Sequence, residues 1–507
     1  MDRADDHPGA AVAPVGSTFR ETLRRFGSHG LVYVAGTFTI RAVGLFVLVP
    51  VYTRYLPEHE YGILGILTLV TQVVMTFLSL GLMNAMFRHW AREKEPEARR
   101  RLISTTVWSH AVMLVVGSAI FLLNPSWWSR VLLGSPEWGR YVLLAVATAL
   151  FDMFSAVPLG VVRMEERPGF FTGVMLVRTV VSTALAVWLV AWRNAGIAGV
   201  LVGNLVGTLA AFAMIVPLIV QRCGWVVDAK LLREMLPFGL TYTVSATATL
   251  FLTMGDRYVV KFVIGLAAVG VYTLGQQLAG TINMLGQSFL NAYQPLALKR
   301  DRTVDGGRFV TKTFTYFAFG LTWVGLGFSL LSREVVLILA RNPGYHPALT
   351  VVPLLVLAAI LYVLSITMEV GFFFAGRARY IALPTIIGVG VIIGLSFVFV
   401  PIFGIFGAAI AAALAAGARL ALMYFWGQRV YPLPYDMGRL VLVLLVAGGA
   451  HVVLLVPGPW WALVSLKVVV ALLFPLMVWG VGFFTPYEQG EIRRVVRSTL
   501  RSTEGHS

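Results

Sequence analysis

Arg99-Arg100-Arg101-Leu102-Ile103-Ser104-Thr105-Thr106-Val107-Trp108-Ser109-His110-Ala111-Val112-Met113-Leu114-Val115-Val116-Gly117-Ser118-Ala119-Ile120-Phe121-Leu122-Leu123 decides how the rest of the chain is read. Three adjacent arginines end a polar stretch, and no Asp, Glu, Lys or Arg follows before Leu123. A helix over that run is as long as the hydrocarbon core of a bilayer is thick, which takes roughly 20 apolar residues. It is apolar on most of its circumference, so it needs lipid or protein all round.

Moving outward, the same alternation of polar gap and apolar run covers the chain. Fourteen spans are expected, at about 30–51, 62–86, 103–123, 141–162, 171–191, 196–219, 236–256, 265–290, 309–331, 349–374, 380–401, 404–427, 438–457 and 460–484. Twelve is the competing count, if two are re-entrant or merged. Hydrophobic residues make up 58% of the 507 positions and charged residues 13%. Soluble domains carry about 25% charged residues, so this chain lacks the polar surface to cover a water-soluble particle. The 50 glycines suit closely packed membrane helices. Cys223 is the single cysteine, which excludes an internal disulfide. Residues 1–29 are polar, so the first span is expected to serve as the insertion signal.

Lys and Arg give the orientation. One set of alternate gaps, together with both ends, holds 28 of the 40 basic residues; it includes Arg88 to Arg101, Arg163 to Arg167, Arg222 to Arg233, Lys299 to Lys312, Arg377 and Arg379, and Arg429 and Arg439. The other gaps hold 8 and the spans themselves 4. The richer set is therefore expected in the cytoplasm, with both termini. The formal charge of +16 is mostly topology and does not indicate nucleic acid.

The chain also echoes itself. His29-Gly30-Leu31-Val32-Tyr33 returns as Phe238-Gly239-Leu240-Thr241-Tyr242, and Glu60-Tyr61-Gly62 as Ala268-Val269-Gly270. Arg101-Leu102-Ile103-Ser104 lines up with Arg308-Phe309-Val310-Thr311, and Gly196-Ile197-Ala198-Gly199 with Gly404-Ile405-Phe406-Gly407. The offsets stay between 207 and 209. The unit is six helices, an even number, so both copies insert the same way up around an axis along the membrane normal. The expected organisation is a cytoplasmic segment 1–29, an N-lobe 30–219, a C-lobe 236–427, an appended pair 438–484 and a cytoplasmic tail 485–507.

Several chemistries have no motif to carry them. There is no P-loop, no His-Glu-x-x-His and no nucleophile elbow. Gly388, Gly390 and Gly394 lie inside an apolar span, and the run Gly407 to Gly417 is small-residue helix packing. No metal or other cofactor is called for, and an enzyme is not expected. Active transport would draw on an ion gradient, the membrane potential or substrate supply.

The charges that break the pattern are the places to look for a site, because one at a span centre costs at least ~2.5 kcal/mol. Arg41 is mid-span in the first span and can bind an anionic group or pair with a carboxylate. Asp152 in the fourth span and Glu369 in the tenth read as the deep acids, either partners for arginines or coupling sites for a proton or cation. Arg178 in the fifth span, placed about two turns from the cytoplasmic end, can meet Asp152, line a cavity or snorkel. Asp256-Arg257 closes the seventh span at the outer boundary, where it can gate, coordinate substrate or form an interfacial pair; Arg419 and Lys467 are expected to snorkel. Trp127, Trp128, Trp138, Trp460 and Trp461 read as an outer aromatic belt. In the eighth span Gln276, Asn283, Gln287 and Asn291 share one helical face with Gln277 beside it, a polar stripe suited to sugar hydroxyls or to neighbouring helices.

Leu48-Val49-Pro50-Val51-Tyr52-Thr53-Arg54-Tyr55-Leu56-Pro57-Glu58-His59-Glu60-Tyr61-Gly62 resembles the opening of polysaccharide biosynthesis proteins. Leu80-Gly81-Leu82, Gly255-Asp256-Arg257 and Ala268-Val269-Gly270-Val271-Tyr272 extend the resemblance along nearly the whole chain. That family, with its O-antigen (Wzx-type) flippases, lies in the multidrug/oligosaccharidyl-lipid/polysaccharide exporter superfamily. The resemblance implies an all-α membrane protein of two six-helix lobes in a V, framed by the first, second, seventh and eighth spans. It implies movement of a polyprenyl-diphosphate-linked oligosaccharide across the bacterial cytoplasmic membrane, with Arg41 toward the diphosphate. Glycan polymerases and glycosyltransferases would be the partners. A cation-coupled multidrug exporter of the same superfamily is the alternative, and Asp152 and Glu369 would then be its coupling acids. The first span lacks the dense arginine cluster of a peptidoglycan-precursor flippase.

Overall fold

The computed structural model describes residues 43–165, 167–299, 304–486 and 488–490. Every regular element among them is helical. A π turn, Gly44–Leu48, runs into α1 (Val49–Tyr55). There follow α2 (Glu58–Leu78), α3 (Leu82–Trp90), α4 (Pro96–Leu123), α5 (Pro125–Leu133), α6 (Gly139–Met164), α7 (Pro168–Ala191) and α8 (Gly196–Arg222). The second half holds α9 (Ala229–Met254), α10 (Asp256–Val263), α11 (Leu266–Lys299), α12 (Val304–Leu330), α13 (Ser332–Leu339), α14 (Ala348–Thr367), α15 (Val370–Phe374), α16 (Ala382–Phe403) and α17 (Ile405–Val430). Two more helices, α18 (Met437–Ala450) and α19 (Trp460–Gly480), end the described chain.

Twelve helices among the described residues are long and apolar enough to cross a membrane. The expected fourteen agrees roughly with that number. The 34-residue α11 has ample length but carries the amides and tyrosines of the polar stripe. Residues 30–42 of the first expected span lie outside the described residues. Local chemistry sets several helix starts: Asp228 accepts from the backbone N–H of Lys230 and Leu231, and Asn124 from that of Trp127. Proline opens α4, α5 and α7, where its missing N–H costs nothing.

The second span is broken. Helix α2 stops at Leu78, and Leu80 and Gly81 both take positive φ (48° and 60°) before α3 resumes the path. The break lets the chain touch α9: a methyl on Gly81 would overlap the Gly239 carbonyl, and one on Gly239 the Leu80 carbonyl. Lipid is as apolar as leucine, so membrane helices are held together by close packing and interhelix hydrogen bonds. Accordingly Gly199, Gly203 and Gly207 of α8, four residues apart, seat against Leu189, Ala186 and Ser182 of α7.

Packing in the second half repeats the first. In the first, α6 meets α2, α4 and α8, and α8 pairs with α7. In the second, α14 meets α11, α12 and α17, and α17 pairs with α16. Helices α18 and α19 pack on α12, where Trp323 donates to the Ala471 carbonyl at 2.7 Å and Ser329 meets His451 Nε2 at 2.8 Å.

The two halves meet most closely where α2 crosses α11. A methyl on Gly62 would overlap the Leu266 carbonyl, and one on Gly270 would overlap the Glu58 carbonyl. Gly62 and Gly270 are 208 positions apart, as are Glu58 and Leu266. Gly65 lies against Thr273, again 208 positions away. A local two-fold axis therefore runs through this crossing. Around it, Tyr345 donates to the Leu56 carbonyl at 3.0 Å and Thr53 to the Leu339 carbonyl at 2.9 Å.

Candidate substrate cavities

The Glu60-Tyr61-Gly62 motif does three separate jobs. Glu60 Oε2 accepts from the Ile197 N–H at 2.9 Å, placing a carboxylate at the N-terminus of α8, where the helix dipole favours it. Tyr61 donates to Gln277 Oε1 at 2.8 Å. Gly62 admits α11. The motif thus ties α2 to both halves of the molecule.

Beside that crossing lies a cavity of about 320 Å³, lined by Thr68, Thr253, Thr273, Gln276, Gln277, Asn283 and Tyr362 together with apolar residues of α9, α14 and α17. Asp256 and Arg257 also line it. They are not the interfacial pair expected from sequence, because both are buried, at 0% and 6% exposure. Tyr272 donates to Asp256 Oδ2 at 2.5 Å, and Gln276 Nε2 to both carboxylate oxygens at 3.1 and 3.2 Å. Arg257 donates to Gln276 Oε1 and, across the lobes, to the Gly65 carbonyl at 3.1 Å. Asp256 is thus a third deep acid beside the two expected.

A second cavity, about 340 Å³, lies on the other side of α11. Met175, Arg178, Thr179, Ser182 and Thr183 line it from one face of α7, with Asn204 of α8, Gln277 and Thr281 of α11 and Leu45 and Leu48 of the first span. Gln277 borders both cavities. Arg178 stands ten residues into the 24-residue α7 and lines this cavity. Its Nη2 donates to Asp152 Oδ2 at 2.5 Å, and Thr208 donates to Asp152 Oδ1 at 3.3 Å. With its side chain 36% exposed, the guanidinium keeps further donors toward the cavity.

Glu369 is tied in the same manner within the second half. Its Oε1 accepts from Arg419 Nη2 at 2.7 Å, while Arg419 also donates to Thr385 Oγ1 at 3.3 Å and to Ser365 Oγ. Arg419 is 3% exposed and Lys467, 2.7 Å from Glu334, is 4% exposed. Neither snorkels; each ends on a carboxylate of a neighbouring helix, because burying a cation is tolerable when it is paired.

The polar stripe on α11 divides by role. Gln276 and Gln277 are engaged with other helices, Asn283 turns into the first cavity with its Oδ1 buried and without a protein partner, and Gln287 lines neither cavity but donates to Asn291 at 3.4 Å. Arg41 lies outside the described residues. Sequence reasoning missed Tyr61, Ser182, Thr183 and Asn204. The lone amide Asn204 in an apolar run, beside glycines at a spacing of four, was the available signal.

A model of the polysaccharide biosynthesis protein family matches residues 28–297, more than half of the chain. The chain belongs to the polysaccharide biosynthesis protein family. No curated protein matches this family member. Among solved structures, it is similar to the lipid II flippase MurJ in an inward closed conformation, at 14% identity and TM-score 0.70, over 87% of this chain and 97% of that one. It is also similar to an inward-facing multidrug resistance MATE family transporter of the MOP superfamily, at 15% identity and TM-score 0.63, over 78% and 97%. An outward-facing structure of such a transporter gives 16% identity and TM-score 0.54, over 79% and 95%. This polysaccharide biosynthesis family member therefore has the flippase and transporter fold of that superfamily and is a multi-pass membrane protein.

Proposed function

We propose that the protein is a flippase that moves a polyprenyl-diphosphate-linked oligosaccharide from the inner to the outer leaflet of the bacterial cytoplasmic membrane. The product would feed a surface polysaccharide of the O-antigen, lipopolysaccharide or exopolysaccharide kind. Both termini are cytoplasmic, and the lobes 30–219 and 236–427 rock about the cavities while residues 438–484 remain an appended pair. A glycan polymerase and glycosyltransferases would act beside it.

The observation that carries this reading is the pair of polar cavities flanking α11, lined by hydroxyls, amides and Arg178. Sugar hydroxyls need such donors and acceptors, and a diphosphate needs a cation. Arg41 of the first expected span is our proposed main diphosphate ligand, because a charge placed so far into an apolar run is costly unless it meets an anion. The cation-coupled exporter is less well supported, since Asp152 and Glu369 are each occupied by an arginine. Arg257, which donates to the Gly65 carbonyl of the other lobe, and Asp256 beside it suit a gate.

Deletion of the gene followed by lipid analysis tests the reading. Lipid-linked oligosaccharide should accumulate in the cytoplasmic leaflet; unchanged export with raised drug sensitivity would move the protein to the multidrug class. Arg41→Ala at normal membrane abundance should lose export.

A further inference from the structure

Cys223-Gly224-Trp225-Val226-Val227-Asp228 joins α8 to α9, and so joins the two halves of the molecule. This linker does not loop away into water. Gly224 donates its N–H to Ser104 Oγ at 2.7 Å, and its carbonyl accepts from Trp108 Nε1 at 2.9 Å. The Asp228 N–H donates to Thr105 Oγ1 at 3.0 Å. Ser104 and Thr105 are buried, and the Trp225 ring stacks on Trp108 with centroids 5.0 Å apart.

Those anchor points set the depth of the linker. The apolar run of α4 begins at Leu102, just after Arg99-Arg100-Arg101, and Trp108 lies about 10 Å along the helix from the last arginine. The linker therefore doubles back to the acyl-chain side of the arginines. Non-helical backbone at that depth needs protein partners for its polar groups, and Ser104, Thr105 and Trp108 supply three. Held there, Trp225, Val226 and Val227 are 89%, 58% and 51% exposed. Both flanking helices are long and apolar enough to cross the membrane, so the surface these side chains face is lipid.

The cations at the rim are open. Arg101 and Arg222 are paired with Glu97 and Glu165. Arg100 is exposed, with its Nε 3.8 Å from the place a methyl on Gly224 would take. Lys230 and Arg233, in the first turns of α9, are exposed as well. None of these three has an ion pair among the described residues. Long apolar stems let Lys230 and Arg233 keep their charges at headgroup level. Of the nearby acids, Asp228 caps α9 and only Glu234 is exposed beside them. A rim with this surplus of positive charge attracts anionic lipid.

We propose that the linker between the halves is an interfacial anchor: Trp225, Val226 and Val227 sit among the upper acyl chains, while Arg100, Lys230 and Arg233 bind the phosphate of an anionic phospholipid. This anchoring does not depend on what the protein carries. The test uses the full chain with Cys223→Ser and Val226→Cys, labelled with an environment-sensitive NBD dye, in vesicles of phosphatidylcholine and phosphatidylglycerol. Emission should be blue-shifted from that in water. Lipid spin-labelled near the top of its acyl chain should quench it several-fold more than aqueous iodide does. Emission as in water, quenched by iodide alone, would overturn the anchor and leave Trp225 as a docking point for a soluble partner. Headgroup binding is read separately, in detergent. Phosphatidylglycerol should raise the melting temperature of the wild type by several degrees more than phosphatidylcholine does. Arg100→Gln, Lys230→Gln and Arg233→Gln together should abolish that difference, with melting in phosphatidylcholine unchanged. A difference that survives in the triple variant, or none in the wild type, would overturn the anionic site. Neither measurement involves transport, so both stand apart from the deletion test.

Discussion

Arg419 shows what a single charge does in this interior. It lies under Tyr362, with its guanidinium 5.3 Å from the ring centre, and its nitrogens reach Glu369, Thr385 and Ser365. Removing one member of a buried pair strands the other, at a cost of about 3–5 kcal/mol. Arg419→Ala should therefore lower thermal stability in detergent severely, and Arg419→Met combined with Glu369→Leu should recover most of it. If Arg419→Ala melts like the wild type, the pair is not structural. The sequence placed Arg419 near a span end and suggested an exit to water. It could not reveal that Glu369, 50 positions earlier, lies across from it, because depth along one helix says nothing about which helix is opposite.

At the scale of elements, the crossing of α2 and α11 joins the two halves. A side chain on Gly62 or Gly270 meets a backbone carbonyl, which cannot move aside as a flexible side chain would. Overpacking of this kind costs about 1–3 kcal/mol. Gly62→Val should splay the crossing rather than unfold the chain. Thr273, 9% exposed, reports on it: in a Cys223→Ser background, Thr273→Cys should resist maleimide, and adding Gly62→Val should speed its modification several-fold. Equal rates would mean that the crossing does not control access. The echo between Glu60-Tyr61-Gly62 and Ala268-Val269-Gly270 was legible in the sequence. That the two copies touch one another was not, since a repeat gives equivalence and not contact.

For the whole molecule, the basic gaps and apolar runs were enough to read an all-helical, many-pass protein, and twelve long apolar helices answer to them. The polar stripe of α11 was legible too, though its division between interhelix bonds and an open Asn283 needed the packing. The breaks at Leu80-Gly81 and at Met368-Glu369, where α14 gives way to α15, were not, because a hydropathy pattern registers length and not direction. Topology can be checked with the native cysteine. Cys223 follows α8 in a gap assigned to the cytoplasm, and burial pushes its thiol up to about 11 despite the nearby Arg100. Maleimide should reach it only from the cytoplasmic face. Below that pKa the reactive thiolate grows with pH, so the rate should be slow near neutrality and rise about tenfold per pH unit. Faster labelling from outside would invert the proposed orientation.

The meeting of Gly65 and Thr273 carries a consequence about ancestry. If the two halves began as separate identical chains, that position lay on the symmetry axis of a homodimer, where any residue must face its own copy. Two threonines there would crowd, and two glycines would leave the axis without a hydroxyl. Joining the copies into one gene removed that obligation, so one side could become small while the other gained a polar group, an asymmetry forbidden to a homodimer.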